Sequence, residues 1–281
     1  MTNRLLTQAR SLRAELKRRL RNRELLAYYQ PFVAADGKSW VGAEVLVRWQ
    51  HPVKGMILPH VFIPLMEQTR LIVEMTTILF ERVANDLSAV VDQLPKPFYL
   101  SFNISATHIA DPQFIHHCRR FLARFPSSSI LLLLEITERE EIITTEENLQ
   151  RLRQLREAGI RLALDDFGVG YSNLKYLMEF ETDVLMIDRV FVSGVPANKS
   201  ARHILDSIVY LAKRLNIDTI AEGIETQSEV NYLKAKGVSF FQGYFFAQPM
   251  RIEELLVTLA DPPATGSMPR NRPSGESTQK S

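Results

Sequence analysis

The feature that most restricts the fold of this chain is a regular alternation of short apolar runs with segments of helical periodicity. Eight apolar runs rich in β-branched residues are recognised: 27–33, 40–49, 98–104, 129–137, 160–166, 183–188, 217–222 and 239–243. Between them lie segments with apolar residues at helical spacing, such as 72–94, 142–158, 200–215 and 226–236. Unbroken apolar runs are typical of strands buried on both faces, as in a parallel sheet covered by helices.

Eight strands joined by crossover helices within about 225 residues predict a closed (β/α)₈ barrel. The loop between the first two runs, residues 34–39, is too short to contain a helix. These two strands are therefore predicted to form an antiparallel hairpin. The expected fold class is α/β, a TIM-like barrel with an irregular, antiparallel first strand.

The composition is that of an ordinary globular protein. The 281 residues are 46% hydrophobic and 23% charged, which excludes the disordered, collagen-like and disulfide-rich classes. The single cysteine, Cys118, cannot form an internal disulfide, as expected in a reducing compartment. No apolar run approaches the roughly 20 residues of a membrane helix, and no apolar signal segment is present near the start. We therefore expect a cytoplasmic protein.

The near-neutral net charge of +2 conceals a basic first segment. Residues 1–23 contain eight Lys or Arg and one Glu, a net charge of +7. An apolar stripe at steps of three or four residues consists of Leu5, Ala9, Leu12, Leu16 and Leu20. This spacing predicts a basic amphipathic helix. Two roles stay open, since the stripe can dock on its own domain or contact an anionic membrane surface, a nucleic acid or a protein.

The other end of the chain has the opposite character. Residues 261–281 are rich in Pro, Gly and Ser and poor in apolar residues, which predicts a disordered tail. The expected domain organisation is thus a basic helix over 1–23, a barrel over 24–260 and the tail.

Carboxylates and one amide stand where the apolar runs end, and one further carboxylate, Glu44, interrupts the second run. They are Glu44, Asn103, Glu135, Asp165, Asp166, Asp188 and Glu222. The carboxyl ends of barrel strands meet at one mouth, where so many carboxylates would repel each other without a counterion. Hard oxygen ligands with no His or Cys among them favour Mg²⁺ or Mn²⁺ over zinc. Helix capping by Asp or Asn would explain one or two of these residues, but not the set.

The same residues lie within a series of short motifs. The triplet Glu44-Val45-Leu46 is followed in order by further motifs around the strand ends. The motif YQP at 29–31 precedes the triplet. The motifs that follow it are FIP at 62–64, FNIS at 102–105, EITE at 135–138, DDFGVGYSNL at 165–174, MID at 186–188, AEGIET at 221–226 and QGYFF at 242–246. Over residues 22–258 the chain resembles the EAL family of cyclic-di-GMP phosphodiesterases, with Val45 at the usual Ala position of the signature triplet.

The resemblance implies a divalent-metal-dependent hydrolase that opens cyclic-di-GMP to linear pGpG, with two Mg²⁺ or Mn²⁺ ions per site. The implied metal ligands are Glu44, Asn103, Glu135, Asp165, Asp166 and Glu222, and Glu44 and Glu222 are also implied to be catalytic. The implied substrate contacts are Gln30, Leu46, Arg48, Asp188 and Gln242. Glu138 is implied to anchor the loop that follows DDFG, and the next helix to form a homodimer. In the family, a low level of the messenger favours motility over biofilm.

One position leaves two functions open. The family usually has a lysine two residues before the aspartate at 188, and this chain has Met186 there. A thioether cannot donate a hydrogen bond, and proton-transfer groups contribute about 10² to 10⁴ in rate. The alternative to an enzyme is a catalytically impaired barrel that acts as a cyclic-di-GMP receptor or a protein-interaction module. Lys175, at the start of the next helix, is expected to point away from the mouth.

Overall fold

The computed structural model describes residues 13–20, 22, 24–137, 144–169 and 173–263. The strands are β1 (Leu25–Ala34), β2 (Trp40–His51), β3 (Gly55–Ile57), β4 (Phe98–Ile104), β5 (Ile130–Thr137), β6 (Arg161–Phe167), β7 (Val184–Ile187), β8 (Asp218–Ala221) and β9 (Phe240–Phe241). The predictions for residues 1–12, for Glu138 and for the tail from residue 264 lie outside the described residues.

Helices separate most of the strands. They are α1 (13–20), α2 (Pro59–Gln68), α3 (Ile72–Ser88), α4 (Ala106–Ala110), α5 (Phe114–Leu122), α6 (Glu146–Glu157), α7 (Asn173–Glu179), α8 (Arg189–Val192), α9 (Lys199–Leu215), α10 (Gln227–Lys236) and α11 (Ile252–Ala260). Two of the long helices show why they begin where they do. Asn198 caps α9 by accepting hydrogen bonds from two backbone N–H groups, and Thr226 opens α10 with a capping box to Glu229.

Eight of the strands close a barrel in the order β1, β2, β4, β5, β6, β7, β8, β9 and back to β1. Strand β1 is antiparallel to both of its neighbours, and the pairs from β2 to β4 onwards as far as β9 are parallel. The predicted barrel and its antiparallel first hairpin are confirmed. Each of the eight predicted runs overlaps one barrel strand, whereas β3, an extension at the end of β2, was not predicted because three residues carry no periodic signal.

Two layers of side chains fill the inside of the barrel. The lower layer is apolar and consists of Phe32, Leu133, Ala163, Val184, Met186 and Ile220. Side chains of a strand alternate between its faces, so residues two positions further along a strand face the same interior. Two positions beyond Leu133, Ala163, Met186 and Ile220 stand Glu135, Asp165, Asp188 and Glu222. The polar layer at the mouth therefore rests directly on the apolar one.

Helix α1 packs on the barrel through the predicted apolar stripe. Leu16 and Leu20 are buried within the main hydrophobic core. The Lys17 ammonium lies 3.1 Å from a carboxylate oxygen of Glu74 on α3. The stripe thus contacts its own domain over the part of this helix that the structure describes. Among the described helices, none is both long enough and apolar enough to cross a membrane.

Candidate functional site at the barrel mouth

Glu44 on β2 is held by two amide side chains. Asn103 on β4 donates from Nδ2 to Oε1 of Glu44 at 2.8 Å, and Gln242 donates from Nε2 to Oε2 at 2.7 Å. Burial raises the pKa of Glu44, and these two hydrogen bonds partly oppose that rise. A residue of β2, a residue of β4 and the residue that follows β9 are thereby joined around one carboxylate.

Glu135 on β5 is the most unusual group of the mouth. Its side chain is fully buried, and neither carboxylate oxygen makes a hydrogen bond of regular geometry in the described structure, although Ser101 and Glu44 lie near enough to act on its pKa. The hydroxyl of Ser101, on the adjacent strand β4, is also buried without a partner. Burial raises the pKa of Glu135 well above its usual value, and the charges of Glu44 and Asp165 raise it further. A buried carboxylate without partners is costly, and a bound cation would remove that cost.

Asp165 and Asp166 come from an irregularity in β6. The pairing of β6 with β7 shifts register between Leu164 and Phe167, so these two aspartates lie in a bulge. Asp166 has a φ of 54°, and its backbone N–H donates to Oδ1 of Asp165 at 2.6 Å. Bulges re-aim side chains at strand ends, and here both successive aspartates line the same cavity.

The carboxylates of the mouth are electrostatically coupled. Burial raises the pKa of Asp165 to about 7, with the charges of Asp166 and Glu44 adding to the effect. Burial also raises the pKa of Glu222 well above its usual value, followed by the charges of Asp165, Glu44 and Glu135. The mouth thus carries more negative charge than its surroundings compensate, which is the condition that divalent cations relieve.

The donor set fits a hard divalent cation, although it is not arranged around one. Carboxylate oxygens and one amide oxygen are the ligands that Mg²⁺ and Mn²⁺ prefer, and the two free oxygens of Glu135 provide the unsatisfied acceptors. Among the described residues, no group of three or more His, Cys, Asp or Glu side chains could hold a metal ion as it stands. Glu44 accepts one hydrogen bond on each oxygen, from Asn103 and Gln242, and each oxygen keeps a second lone pair for a cation.

Two cavities meet at Glu44 and Asp165, which line both. The smaller has a volume of about 210 Å³ and a polar wall that includes Arg189, Glu222 and Tyr244. The larger has a volume of about 520 Å³ and extends between β2, β4, α2 and α3 over mainly apolar side chains. The mouth therefore offers a charged side and an apolar side.

The predicted substrate contacts are distributed unevenly over this mouth. Gln30 and Gln242 line the smaller cavity, and Leu46 lines the larger one. Arg48 lines neither; its guanidinium donates to the Val47 carbonyl at 2.9 Å and lies 5.6 Å from the centroid of the Tyr28 ring. Asp188 also lines neither cavity and caps α8 by accepting from the N–H of Val190 at 2.7 Å.

Neither Met186 nor Lys175 lines either cavity. Met186 is buried in the apolar layer, one step below Asp188 on the same strand. Lys175 donates a hydrogen bond to Thr144 at 3.2 Å and lines neither cavity, in accord with the expectation that it points away from the mouth. The mouth therefore gains no lysine from either position.

Five residues of the smaller cavity were not predicted as site residues, and the three of them that carry polar side chains are Arg189, Glu225 and Tyr244. Each of these three lies in or next to one of the motifs shared with the EAL family. Arg189 follows MID, Glu225 belongs to AEGIET and Tyr244 belongs to QGYFF. Their adjacency to those motifs is a signal in the sequence, but only the structure brings the three segments together.

The fold and the site define an α/β barrel with a carboxylate-rich mouth at the ends of its strands. The chain belongs to the EAL domain family, whose family model matches residues 13–249. It is 40% identical over 248 residues, 88% of the chain, to the probable cyclic di-GMP phosphodiesterase PdeG of Escherichia coli K12, and covers 49% of that protein. It is 38% identical over 231 residues, 82% of the chain, to the cyclic di-GMP phosphodiesterase PdeL of the same organism, and covers 64% of that protein.

A solved structure gives the same fold with a ligand. The MucR phosphodiesterase of Pseudomonas aeruginosa, in complex with c-di-GMP, matches with a TM-score of 0.77 at 33% identity, over 87% of this chain and 99% of that one. The chain spans about half the length of the first two curated relatives, at 49% and 48%. Family membership is thereby shown for the barrel.

His108 lies beside the larger cavity and gives the fold a pH dependence. Its Nδ1 accepts from the Ser105 N–H at 3.0 Å, and its Nε2 lies 2.9 Å from the Thr76 hydroxyl. Burial lowers the pKa of His108 to about 3. Histidine is thus held neutral in the folded protein, whereas the unfolded chain takes up a proton below about pH 6.5.

We expect protonation of the unfolded chain at His108 to lower the free energy of unfolding by about 2 kcal/mol between pH 7 and pH 5. The loss begins as the pH falls through about 6.5 and grows until the pH nears the folded-state pKa of about 3. Denaturant unfolding of the wild type and of His108→Gln at both pH values isolates this contribution from that of the carboxylates. The exposed His116→Gln is the matched control, and an equal pH dependence in all three proteins would contradict the assignment.

Proposed function

We propose that this chain hydrolyses cyclic-di-GMP to linear pGpG with the help of two divalent cations, Mg²⁺ or Mn²⁺. The observation that carries the proposal is the polar layer at the mouth, in which the buried Glu135 has two unpartnered oxygens beside Glu44 and Asp165. Membership of the EAL family and the names of its relatives, which include a phosphodiesterase solved with c-di-GMP, support the choice of substrate.

The proposed metal ligands are Glu44, Asn103, Glu135, Asp165, Asp166 and Glu222. When bound, divalent cations supply charge neutralisation, a water of lowered pKa and stabilisation of the charge that develops on the phosphate. The side chains of the protein do the remaining work. The amides of Asn103 and Gln242 orient Glu44 from both sides, and the apolar layer beneath excludes water from below the acids.

The proposed substrate contacts use groups with free hydrogen-bonding capacity. The side-chain oxygen Oε1 of Gln242 is buried and has no partner in the described structure, so it can accept a hydrogen bond from a ligand N–H. Gln30 lines the same cavity and donates only a long hydrogen bond of 3.3 Å to the Ala247 carbonyl. The apolar wall of the larger cavity, which includes Leu46, suits the face of a base. Arg48 and Asp188, which line neither cavity, complete the proposed set.

A second candidate function is favoured by one observation. Met186 lies directly beneath the acidic layer and offers no proton or hydrogen bond there. A barrel with this substitution that keeps its ligand-binding groups would act as a cyclic-di-GMP receptor or as a protein-interaction module.

We also propose that the chain forms a homodimer through α7. Leu174 and Met178 on this helix are 63% and 86% exposed, which is unusual for large apolar side chains. Sedimentation that finds only a monomer at micromolar concentration would contradict the dimer.

For the basic helix, the burial of Leu16 and Leu20 favours docking on its own domain over a membrane or protein contact. Location in the cytoplasm stays a prediction from the sequence.

Incubation of the purified protein with cyclic-di-GMP and Mg²⁺ or Mn²⁺, followed by chromatography, tests the proposed function. We expect pGpG from the wild type and none from Glu44→Ala, because that change removes the carboxylate joined to both Asn103 and Gln242. Bound but unhydrolysed cyclic-di-GMP in the wild type would contradict the hydrolase and favour the receptor. Equal product from the wild type and Glu44→Ala would place the reaction outside this mouth.

A further inference from the structure

The mouth has a pronounced imbalance of charge. Of the described residues that line the two cavities, only Arg189 is a lysine or arginine, whereas Glu44, Asp165 and Glu222 are among several carboxylates. Any anionic ligand that enters the smaller cavity therefore meets this one guanidinium.

Arg189 is held over the cavity by the segment 222–226. Its Nη2 lies 2.7 Å from Oε1 of Glu225. Gly223, with a φ of 64°, lies so close that a Cβ atom there would be 2.5 Å from Cγ of Arg189. The segment is thus shaped around the aliphatic stem of the arginine, and a side chain at residue 223 would displace it.

A buried carboxylate fixes the segment that holds Arg189. Glu229 on α10 is 4% exposed and accepts hydrogen bonds from the N–H groups of Gly194, Glu225 and Thr226, each at 2.9 Å. These bonds join the loop after α8 to the start of α10. The positions of Glu225, and through it of Arg189, are therefore set by the fold.

The ion pair of Arg189 has little value for stability. The side chains of Arg189 and Glu225 are 59% and 47% exposed, and ion pairs of that exposure contribute little to folding. A guanidinium that is placed by the backbone but only lightly held by an exposed carboxylate can exchange that partner for a phosphate, which it contacts with two parallel N–H groups.

The position of Arg189 in the barrel suggests which part of a ligand it meets. It follows β7, which is separated from β2 by three strands in either direction around the barrel, so the two strands lie on opposite sides of the mouth. Arg48 belongs to β2. We propose that Arg189 binds a phosphate group of the cyclic dinucleotide from the side of the mouth opposite to Arg48. The inference rests on the proposed ligand but not on its hydrolysis.

The test compares Arg189→Met with a matched control. Methionine keeps an unbranched stem against Gly223 but removes the charge. Arg120 on α5 serves as the control, because its side chain is equally exposed at 59% and is paired with Glu81 far from the mouth. Affinity for cyclic-di-GMP is measured by calorimetry in EDTA, and KM is measured in Mg²⁺, both over a range of salt concentrations.

We expect Arg189→Met to weaken binding, and to raise KM, by about tenfold to a hundredfold, with a shallower salt dependence. Arg189→Lys should fall between the wild type and Arg189→Met, and Arg120→Met should match the wild type. Binding by Arg189→Met within twofold of the wild type at every salt concentration would overturn the proposal. Wild-type binding without hydrolysis would contradict only the proposed reaction, whereas no binding in either buffer would overturn both.

Discussion

Glu135→Gln is expected to abolish most of the thermal stabilisation that Mg²⁺ or Mn²⁺ gives the wild type, and to lower hydrolysis by about 10³-fold. The two oxygens of Glu135 are buried without partners, so a bound cation would lower the free energy of this carboxylate more than that of the other acids. A site filled at a hundred times its dissociation constant adds about 2.7 kcal/mol of stability, or roughly 5–10 °C for a domain of this size. Loss of several kcal/mol of transition-state stabilisation accounts for the rate.

The same variant should be more stable than the wild type when metal is absent, and increasingly so at high pH. Burial raises the pKa of Glu135 in the folded protein, so its contribution to stability is present at low pH and is lost as the pH rises. Glutamine carries no charge at any pH and escapes this loss. The free energy of unfolding in EDTA should therefore favour Glu135→Gln more at pH 8 than at pH 5.

Thermal unfolding with EDTA, Mg²⁺ and Mn²⁺ measures both effects. Glu157→Gln is the control, because Glu157 is an exposed residue at the end of α6, on the face of the barrel away from the mouth. It removes one carboxylate without touching the site. A metal-induced shift in Glu135→Gln as large as in the wild type would show that Glu135 is not a ligand.

The strands of this fold could be predicted because their signal is local. Stretches such as 130–134 and 184–187 are apolar on both faces, and that pattern depends only on neighbours in the sequence. The antiparallel β1 was predictable for a related reason, since six residues between two runs leave room for a turn only. Short helices such as α4 and α8 were not predicted, because four or five residues do not complete a periodic pattern.

The acids of the site could be predicted as a group, but their relationships could not. Polar residues at strand ends are visible in the sequence, and the two-residue step from Leu133 to Glu135 already indicates a shared face. The bulge that holds Asp165 and Asp166 depends on how β6 pairs with β7, which no local pattern records. The same holds for Arg189, which meets Glu225 from a segment more than thirty residues away in the sequence.

Met186 faces the inside of the barrel, in the apolar layer beneath the acids. Met186 pairs with Ile220 on β8. Each of the two stands two residues before an acid, Asp188 and Glu222 respectively. Two residues of strand span about 6.6 Å, a distance that an extended lysine side chain covers. An ammonium at this position would enter the polar layer from below, beside carboxylates whose pKa values are raised by burial and mutual repulsion.

We therefore expect Met186→Lys to raise the turnover of cyclic-di-GMP by about 10² to 10⁴-fold, the usual contribution of a positioned proton-transfer group. The surrounding acids compensate the buried charge, so the variant should fold, and unfolding at pH 8 checks this. Met186→Leu keeps the apolar layer filled and is the matched control, with wild-type turnover expected. Product from Met186→Lys alone, with cyclic-di-GMP bound but not hydrolysed by the wild type, would identify the wild type as a receptor made from an enzyme by one lost ammonium. Equal turnover in all three proteins would mean that the carboxylates and their cations suffice, and that the residue beneath them only supports the layer.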